Sequence, residues 1–335
     1  MQFDWMVGCY AGAGVHRDTP LLEHVDRETV MAGVDAAVDA GLDGLWAPDH
    51  FMLGPNHEEF EVWTLLSALA ERTNGTDVDI GPLVGSITYR NPALLAKMAT
   101  TVDHLSEGRV RLGLGCGWHR EEHDAYGYEF PPVNERIDML DEGIRVAKAL
   151  FTEDAPEFAG DHYEIDDAYN EPKPIQDPHP PIVVGGAGPR MLRLAARHAD
   201  EWNVEISGRA RGKPIEFKAR KFDEYLEAAG RDPDEVERSW LAHCIVREDP
   251  DELDRLFEEI FPLPWGEEED VDDQLSTPEE AREKGDFLIG TPAQVAEQID
   301  PIRELGFGKL QLIFPDFPST RGIELFGDEV APRVD

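Results

Sequence analysis

The sequence predicts an α/β protein that folds as a single (β/α)8 barrel, the TIM-barrel architecture, with insertions after strand 4 and after strand 7. Short β-type runs alternate with helical patterns along the 335 residues. Several of these runs are almost continuously apolar, which is typical of parallel strands covered on both faces. The alternative, an open doubly wound sheet, is disfavoured because no G-x-G-x-x-G follows the first strand.

Eight β-type runs occur in order. They cover residues 3–10, 42–48, 78–88, 109–115, 181–186, 200–206, 239–246 and 309–314. Helical spacing of apolar residues predicts helices over 26–41, 91–108, 133–151, 188–199 and 291–306. Asn91 and Thr291 are predicted N-caps, because each precedes a proline at the first helical position. Pro301 predicts a kink or an interruption in the last helix.

Two segments interrupt this alternation. Residues 152–180 are rich in proline and predict a surface loop or hairpin. Residues 247–288 form the most acidic insertion, and we expect it to be mobile. We therefore treat residues 1–335 as one barrel domain, because a barrel of this length is commonly one domain.

The net charge is −39, from 70 acidic and 31 basic residues. This charge excludes nonspecific binding to nucleic acid and makes anionic membranes repulsive partners. The acidic residues are spread along the chain, and at low salt their mutual repulsion would destabilise the compact fold. At roughly 1 M salt the Debye length falls to about 3 Å, which largely removes that repulsion. The composition therefore indicates a halophile's salty cytoplasm.

The remaining bulk features favour a cytoplasmic enzyme. No apolar run approaches the roughly 18 residues of a membrane-spanning helix. The N-terminus has no basic segment followed by an apolar one, so we expect no signal peptide. The three cysteines are far apart in the sequence and odd in number, which disfavours a disulfide framework.

In a barrel enzyme the active site lies at the C-terminal ends of the strands, and this rule selects candidates. Asp49 and His50 follow strand 2, and an acid beside an imidazole suits proton transfer. The alternative is that Asp49 caps a helix and His50 is a partly buried hydrogen-bonding residue.

Glycines follow two other strands. The turn 185–188 opens a helix, so its backbone N–H groups could approach a phosphate, although such turns are also common without a ligand. The run 113–117 contains glycines, which have no side chains, so a flat ring could approach the backbone closely there. The alternative for this run is tight packing at the barrel rim.

Residues 119–123 match H-x-x-E-H, a zinc pattern of metalloproteases. Zinc binding would need both histidines on one face of a helix and a third ligand downstream. His119 directly follows a strand end, and acidic residues are frequent enough here for chance matches. We therefore predict no metal site and keep a zinc hydrolase only as an alternative.

Four stretches together resemble the bacterial luciferase-like superfamily, and specifically its branch of oxidoreductases that depend on the deazaflavin coenzyme F420. They are "GLWAPDHF" (44–51), "IGPLVGSITYRNPALLAKMATTVDHLSEGRVRLGLGCGWHREEHDAYG" (80–127), "EPKPIQDPHPPIVVGGAGPRMLRLAARHADEWN" (171–203) and "IGTPAQVAEQI" (289–299). They occur in order over most of the chain. The combination is specific, although no single stretch is.

This resemblance implies a (β/α)8 barrel that holds F420, or alternatively FMN, at the strand C-termini. Asp49 would contact the ring system, and His50 would lie near the hydride-transferring carbon. A non-proline cis peptide is expected within residues 83–86, first at Leu83–Val84. The implied cofactor-binding residues are Asp49, Leu83, Val84, Ser86, Cys116, Gly117, Trp118, Gly185, Gly186, Ala187 and Gly188. Of these, the turn 185–188 would hold the phosphate of the cofactor tail.

His50 and Glu122 are the catalytic candidates, and Glu121 and His123 are further ones. The acidic chain must offer cations to an anionic cofactor tail, and four arginines lie near the candidate loops: Arg90, Arg120, Arg190 and Arg193. Substrate residues are expected in loops 51–60, 152–180 and 260–288.

The sequence departs from the sugar-phosphate dehydrogenases of this branch at two positions. Their active-site glutamate aligns with Trp118, and their tryptophan after the Asp-His pair aligns with Gly54. Their substrate is therefore not carried over, and we expect an oxidoreductase that transfers a hydride between F420 and an unidentified small organic molecule. The alternatives are an FMN-dependent monooxygenase and a noncatalytic flavin-binding barrel. A homodimer is the family-based expectation.

Overall fold

The computed structural model describes residues 1–12, 18–205, 215–260, 277–284 and 287–334. Its strands are β1 (Gln2–Met6), β2 (Gly44–Ala47), β3 (Asp79–Pro82), β4 (Gly85–Ser86), β5 (Leu112–Gly115), β6 (Phe158–Ala159), β7 (Glu164–Ile165), β8 (Ile182–Gly185), β9 (Glu201–Glu205), β10 (Glu237–Val246), β11 (Phe287–Gly290) and β12 (Lys309–Ile313). Its α-helices are α1 (Arg27–Asp39), α2 (Val62–Arg72), α3 (Pro92–Leu105), α4 (Arg120–Tyr126), α5 (Val133–Thr152), α6 (Pro189–His198), α7 (Ile215–Ala229), α8 (Pro250–Ile260), α9 (Pro278–Lys284), α10 (Pro292–Glu304) and α11 (Arg321–Leu325).

The parallel strands form a barrel in the order β3-β2-β1-β12-β10-β9-β8-β5-β4. β3 and β4 are two pieces of one predicted strand, and a parallel bridge between Ile80 and Val110 joins β3 to the chain just before β5. The sheet therefore closes on itself, because β3 at one end of this order meets the chain before β5, near the other end. The predicted barrel is confirmed. The two pieces are separated by a cis peptide bond between Leu83 and Val84, the bond that the resemblance favoured.

Helix termini follow the predicted capping. Asn91 accepts a hydrogen bond from the backbone N–H of Ala93 at 2.9 Å, and Thr291 forms a capping box with Gln294. Pro301 lies inside α10, which continues through it to Glu304. The expected interruption of this helix is therefore wrong.

The two insertions contain regular structure. Residues 152–180 include the antiparallel hairpin β6–β7, as expected for this segment. Residues 247–288 include α8, α9 and the first part of β11, so regular structure occupies the described parts of this insertion, and its mobility stays a prediction. β11 was not predicted as a strand, and it pairs in parallel with the last four residues of β10. Residues 261–276 and 285–286 of this insertion lie outside the described residues.

A buried ionic cluster lies toward the N-terminal ends of the strands, opposite the predicted site. Lys309 begins β12 and Glu201 begins β9, and their charged atoms are 3.3 Å apart. Arg111 approaches the same Glu201 carboxylate at 2.8 Å. Asp4, which is 1% exposed, accepts a hydrogen bond from the indole of Trp46 at 2.7 Å. This end of the barrel is thus filled by paired charges.

Apolar side chains fill the space between the sheet and the helices. In α1, for example, Val30, Val34 and Ala37 are fully buried at helical spacing. Burial of a valine or leucine side chain of this kind contributes roughly 1.5–3 kcal/mol. Throughout the described ranges, no helix combines the length and apolar character needed to cross a membrane.

Candidate functional site

The candidate residues meet at the C-terminal end of the barrel. Asp49 and His50 follow β2, Ser86 ends β4, the segment 116–118 follows β5, and the turn 186–188 follows β8. In a parallel barrel these strand ends share one face, so residues far apart in the sequence converge there.

Asp49 is almost completely buried and accepts three hydrogen bonds. One comes from the backbone N–H of Ser86 at 2.9 Å, and two come from Nη1 of Arg90 at 2.9 and 2.7 Å. Burial raises the pKa of Asp49, while Arg90 and the Ser86 N–H oppose that shift. Asp49 therefore ties the loop after β2 to the end of β4. Contact with a cofactor ring, implied for it by the resemblance, would be additional to these bonds.

His50 forms a hydrogen bond with Glu122 across the mouth of the barrel. Its Nδ1 lies 2.6 Å from Oε1 of Glu122, which is completely buried. The imidazole side chain is 13% exposed, so it borders the open end of the barrel. Since a carboxylate accepts, Nδ1 carries the proton, and Nε2 is the nitrogen left for a bound molecule.

Glu122 is held as a carboxylate by several donors. Besides His50, the hydroxyl of Tyr89 donates to its Oε1, and the backbone N–H of Phe51 donates to its Oε2 at 2.8 Å. Burial alone would raise the pKa of Glu122, but hydrogen bonds from His119, His50 and Phe51 hold it below its usual range. The same contact with Glu122, together with burial, raises the pKa of Tyr89. The site thus contains a fixed negative charge that orients His50.

His123 is also buried, but it points into a different hydrogen-bond chain. Its Nε2 lies 2.6 Å from the hydroxyl of Thr88, and its Nδ1 lies 2.6 Å from the carbonyl oxygen of His119. The Thr88 hydroxyl in turn contacts the Ser86 hydroxyl at 2.6 Å. Burial lowers the pKa of His123, which favours the neutral ring that this pattern needs. Both ring nitrogens are occupied, so the H-x-x-E-H motif does not bring its two histidines to one metal.

A different trio brings ligand-type atoms together. Atoms of His50, His119 and Glu122 lie within 4.8 Å of one another in the described part of the chain. The 2.6 Å separation between His50 and Glu122 is that of a charge-assisted hydrogen bond. Hydrogen bonding within the site therefore explains why these three side chains lie close together, without a metal ion.

Glycines at the ends of β5 and β8 make room for Val84. A Cβ on Gly115 would lie 2.7 Å from Cγ2 of Val84, and one on Gly185 would lie 2.9 Å from the same atom. A Cβ on Gly113 would lie 1.9 Å from the carbonyl oxygen of Pro82. The glycines around β5 therefore serve tight packing of the rim, which was the alternative interpretation of that run.

The chain after β5 is fixed by one buried arginine. Arg136 donates to the carbonyl oxygens of Cys116 at 2.9 Å and of Gly117 at 3.3 Å. Gly117 has a φ of 73°, and a Cβ there would meet the Ser86 hydroxyl at 2.5 Å. Beyond it, Trp118 is 65% exposed and packs edge-to-face on His50, with ring centroids 5.2 Å apart. Trp118 is thus an exposed aromatic wall beside the imidazole.

The turn after β8 leads into α6 without a side-chain cap. Gly186 has a φ of 132°, and its carbonyl oxygen accepts a hydrogen bond from the Trp202 indole at 2.8 Å. Gly188 is the N-cap, and a Cβ there would meet no described atom within 4 Å. A helix N-terminus with an uncrowded glycine cap suits an anion such as a phosphate.

Comparison with known proteins agrees with this arrangement. The family model described as luciferase-like monooxygenase matches residues 1–309. The chain belongs to this family. The resemblance inferred from the sequence is therefore confirmed.

Two curated relatives of this luciferase-like protein differ in cofactor. The F420-dependent glucose-6-phosphate dehydrogenase of Amycolatopsis mediterranei is 29% identical over 312 residues, covering 89% of this chain and 92% of the relative. The FMNH2-dependent dimethylsulfone monooxygenase of Pseudomonas putida is also 29% identical, over 264 residues, covering 73% of this chain and 71% of the relative. Relatives of both kinds are oxidoreductases, which confirms the predicted enzyme class.

A solved F420-dependent secondary alcohol dehydrogenase, in complex with an F420-acetone adduct, has the same fold. Its TM-score is 0.76 at 23% identity, and the match covers 100% of this chain and 99% of that one. At this identity the likeness shows the luciferase-like barrel and nothing finer.

The four arginines expected near an anionic tail have different partners. Arg90 is shared between Asp49 and Glu61, and lies 2.7 Å from each. Arg120 is exposed and lies over the ring of Phe130. On α6, Arg190 pairs with Asp138 at 2.6 Å, and Arg193 lies over the ring of Tyr225. Of these four, Arg190 and Arg193 belong to α6, the helix that begins at the glycine turn.

Several residues of this luciferase-like site were not foreseen. Tyr89, Thr88 and Arg136 organise Glu122, His123 and the chain after β5. Thr88 ends the third predicted strand and Tyr89 follows it, so the strand-end rule could have selected both. Arg136 lies within a helical pattern, and no local signal marks its reach to Gly117.

Proposed function

We propose that the protein is a coenzyme F420-dependent oxidoreductase that transfers a hydride between the deazaflavin and a small organic substrate. The observation that carries this proposal is the His50–Glu122 pair at the open end of the barrel. A histidine fixed by a buried carboxylate suits proton exchange with an alcohol or carbonyl during hydride transfer. The F420-dependent relative, aligned over 89% of this chain, supports the choice of cofactor.

The residues present fit such a cofactor. The turn 185–188 and the N-terminus of α6 would hold the phosphate of its tail. Backbone N–H groups at a helix N-terminus can donate to a phosphate, and Gly188 leaves open space for one there. Leu83 and Val84, between β3 and β4, and Ser86, at the end of β4, would border the ring on one side, and Cys116 and Gly117, directly after β5, would border it on another. When bound, F420 supplies a two-electron hydride and reacts poorly with O2.

The protein's part in the reaction is orientation and proton transfer. Glu122 holds Nδ1 of His50, so Nε2 can give a proton to a substrate oxygen or take one from it. Tyr89 and the Phe51 N–H keep Glu122 ionised and fixed. Trp118 shields one side of the imidazole, which limits access of water to the reacting atoms.

The second candidate is an FMN-dependent monooxygenase on the same barrel. The observation in its favour is the FMNH2-dependent relative, which is as similar as the F420-dependent one over a shorter stretch. Both cofactors would place a phosphate at the same glycine turn, so selectivity between F420 and FMN depends on how the protein binds their ring systems.

A substrate screen tests the proposal. The protein is incubated with F420 and a panel of alcohols, aldehydes and sugar phosphates, and loss of the oxidised deazaflavin's visible absorbance is followed. A parallel screen supplies FMNH2 and O2 and follows oxygenated products. Turnover with F420 alone supports the proposal, and oxygenation with FMNH2 alone overturns it.

A further inference from the structure

Glu59 lies at the same end of the barrel as the His50–Glu122 pair, beside the end of β1. The chain around it runs antiparallel to residues 9–11. The backbone N–H of Ala11 donates to the carbonyl oxygen of Glu58 at 3.0 Å, and that of Phe60 donates to the carbonyl oxygen of Cys9 at 3.1 Å. Tyr10 and Glu59 are opposite one another in this bridge. The backbone position of Glu59 is therefore fixed by pairing.

The carboxyl group of Glu59 has no hydrogen-bond partner among the described residues. Both oxygens are closed off from solvent, although the residue as a whole is only half-buried. A buried polar group without a partner is energetically unfavourable. Such groups are rare in native structures, and one beside an active site points to a ligand that completes the bonding.

The surroundings of this carboxyl favour its neutral, protonated form. Burial raises its pKa well above the usual value, and the charges of Glu122 and Asp49 add to that shift. The titratable groups that interact with it are the Cys9 thiol, the hydroxyls of Tyr10 and Tyr89, and those two carboxylates. Among the described residues, Arg90 is a cation near this carboxyl, and it is bonded to Asp49 and Glu61. Glu59 thus offers an O–H donor as well as an acceptor oxygen.

We propose that Glu59 is a specificity-determining residue whose neutral carboxylic acid hydrogen-bonds an uncharged oxygen of the substrate, an alcohol or a carbonyl. This inference rests on the proposed function, since it names the substrate class of that same site. A carboxylic acid matches a hydroxyl, because each group can donate and accept. Anionic substrates are disfavoured, because the fixed charges of Asp49 and Glu122 lie in the same region.

The protonation of Glu59 can be tested without any cofactor. Infrared spectra of the protein at pH 7 report protonated carboxyl groups through their carbonyl stretch. We expect the difference between wild type and Glu59→Gln to contain this band, and subtraction removes the contribution of other buried carboxyls. Glu58→Gln is the matched control, because Glu58 is bonded to His24 and to the Val25 N–H and should be ionised. A difference spectrum without the band overturns the proposal.

Binding to the substrate is tested with Glu59→Ala and Glu59→Gln on the F420-loaded protein. Propan-2-ol serves as the neutral probe and glucose 6-phosphate as the anionic one. We expect Glu59→Ala to raise KM for propan-2-ol by about tenfold with kcat less affected, and Glu59→Gln to recover most of that loss because its amide still donates. Equal KM values in all three proteins, or turnover of glucose 6-phosphate alone, would overturn the assignment. The infrared result does not depend on F420. A failure of the proposed F420 function can therefore be told apart from a failure of the Glu59 assignment.

Discussion

Nδ1 of His50 lies 2.6 Å from Oε1 of Glu122, although the two residues are 72 positions apart in the chain. His50 follows β2 and Glu122 lies in α4, so the contact exists only because the barrel brings these strand ends together. Glu122 is completely buried and its pKa is held below the usual range. A histidine with one nitrogen fixed in this way has a defined tautomer and a defined direction for proton transfer.

Replacing His50 with alanine should lower turnover by about 10²–10⁴-fold while leaving the cofactor dissociation constant nearly unchanged. The reason is that the variant removes the proton-exchanging group and leaves the glycine turn intact. Steady-state kinetics and a binding titration measure the two effects separately. His104→Ala is the control, because His104 is an exposed histidine in the last turn of α3, outside the candidate site. Wild-type turnover in His50→Ala would exclude the proposed role.

Replacing Glu122 with glutamine should lower both turnover and stability. Its folded-state pKa is depressed, so the carboxylate contributes stability above its ordinary value of 4.5, and this contribution is lost as the pH falls through the folded-state value. We expect Glu122→Gln to lose about 1.5–3 kcal/mol of unfolding free energy at pH 7, and less as the pH falls below about 4. Denaturant unfolding at several pH values measures this. Exposed Glu121→Gln should match wild type, and a loss independent of pH would contradict the account.

Replacing Arg90 with methionine should destabilise the fold by about 3–5 kcal/mol, because it leaves the buried Asp49 carboxylate without its cation. The double variant with Asp49→Asn should recover part of this loss, since the amide carries no charge. Chemical denaturation compares the three proteins. Arg120→Met, at an exposed arginine of the neighbouring α4, should change stability by less than about 0.5 kcal/mol. Similar losses in the two arginine variants would refute the interpretation.

Asp4 provides a pH-dependent test at the opposite end of the barrel. Burial raises the pKa of Asp4 from its ordinary 3.8 to about 7, although Lys309 opposes the shift. Between these values the folded state keeps a proton that the unfolded state releases, so the stability contributed by this group falls as the pH rises. Asp4→Asn should therefore gain stability relative to wild type from pH 4 to pH 8. A difference that stays constant over that range in thermal or denaturant unfolding would be the contrary result.

Much of the framework was predictable because it depends on local patterns. Apolar runs located the eight barrel strands, and Asn91 and Thr291 marked their helices through capping chemistry. β11 was missed because its four residues lie beside a strongly acidic segment and pair with only one end of β10. α10 continues through Pro301, so the interruption that this proline suggested is absent from a helix in which Ile299 and Ile302 are buried on either side of it.

The site was predictable only in part. The strand-end rule selected Asp49 and His50, but the choice among Glu121, Glu122 and His123 depends on the phase of a seven-residue helix. That phase directs Glu122 toward His50 and His123 toward Thr88. Glu59 carried no signal at all, because acidic residues are common throughout the chain and nothing local predicts the antiparallel bridge that places it opposite Tyr10.

The proposed function requires that this barrel binds a deazaflavin beside His50. An equilibrium titration of the cofactor-free protein with F420 and, separately, with FMN, followed by fluorescence, tests this requirement. We expect saturable binding of F420 at least tenfold tighter than that of FMN. We also expect weaker F420 binding in Gly188→Asp, because a carboxylate at the α6 cap would repel the phosphate. Binding of FMN alone, or of neither cofactor, would overturn the proposed function.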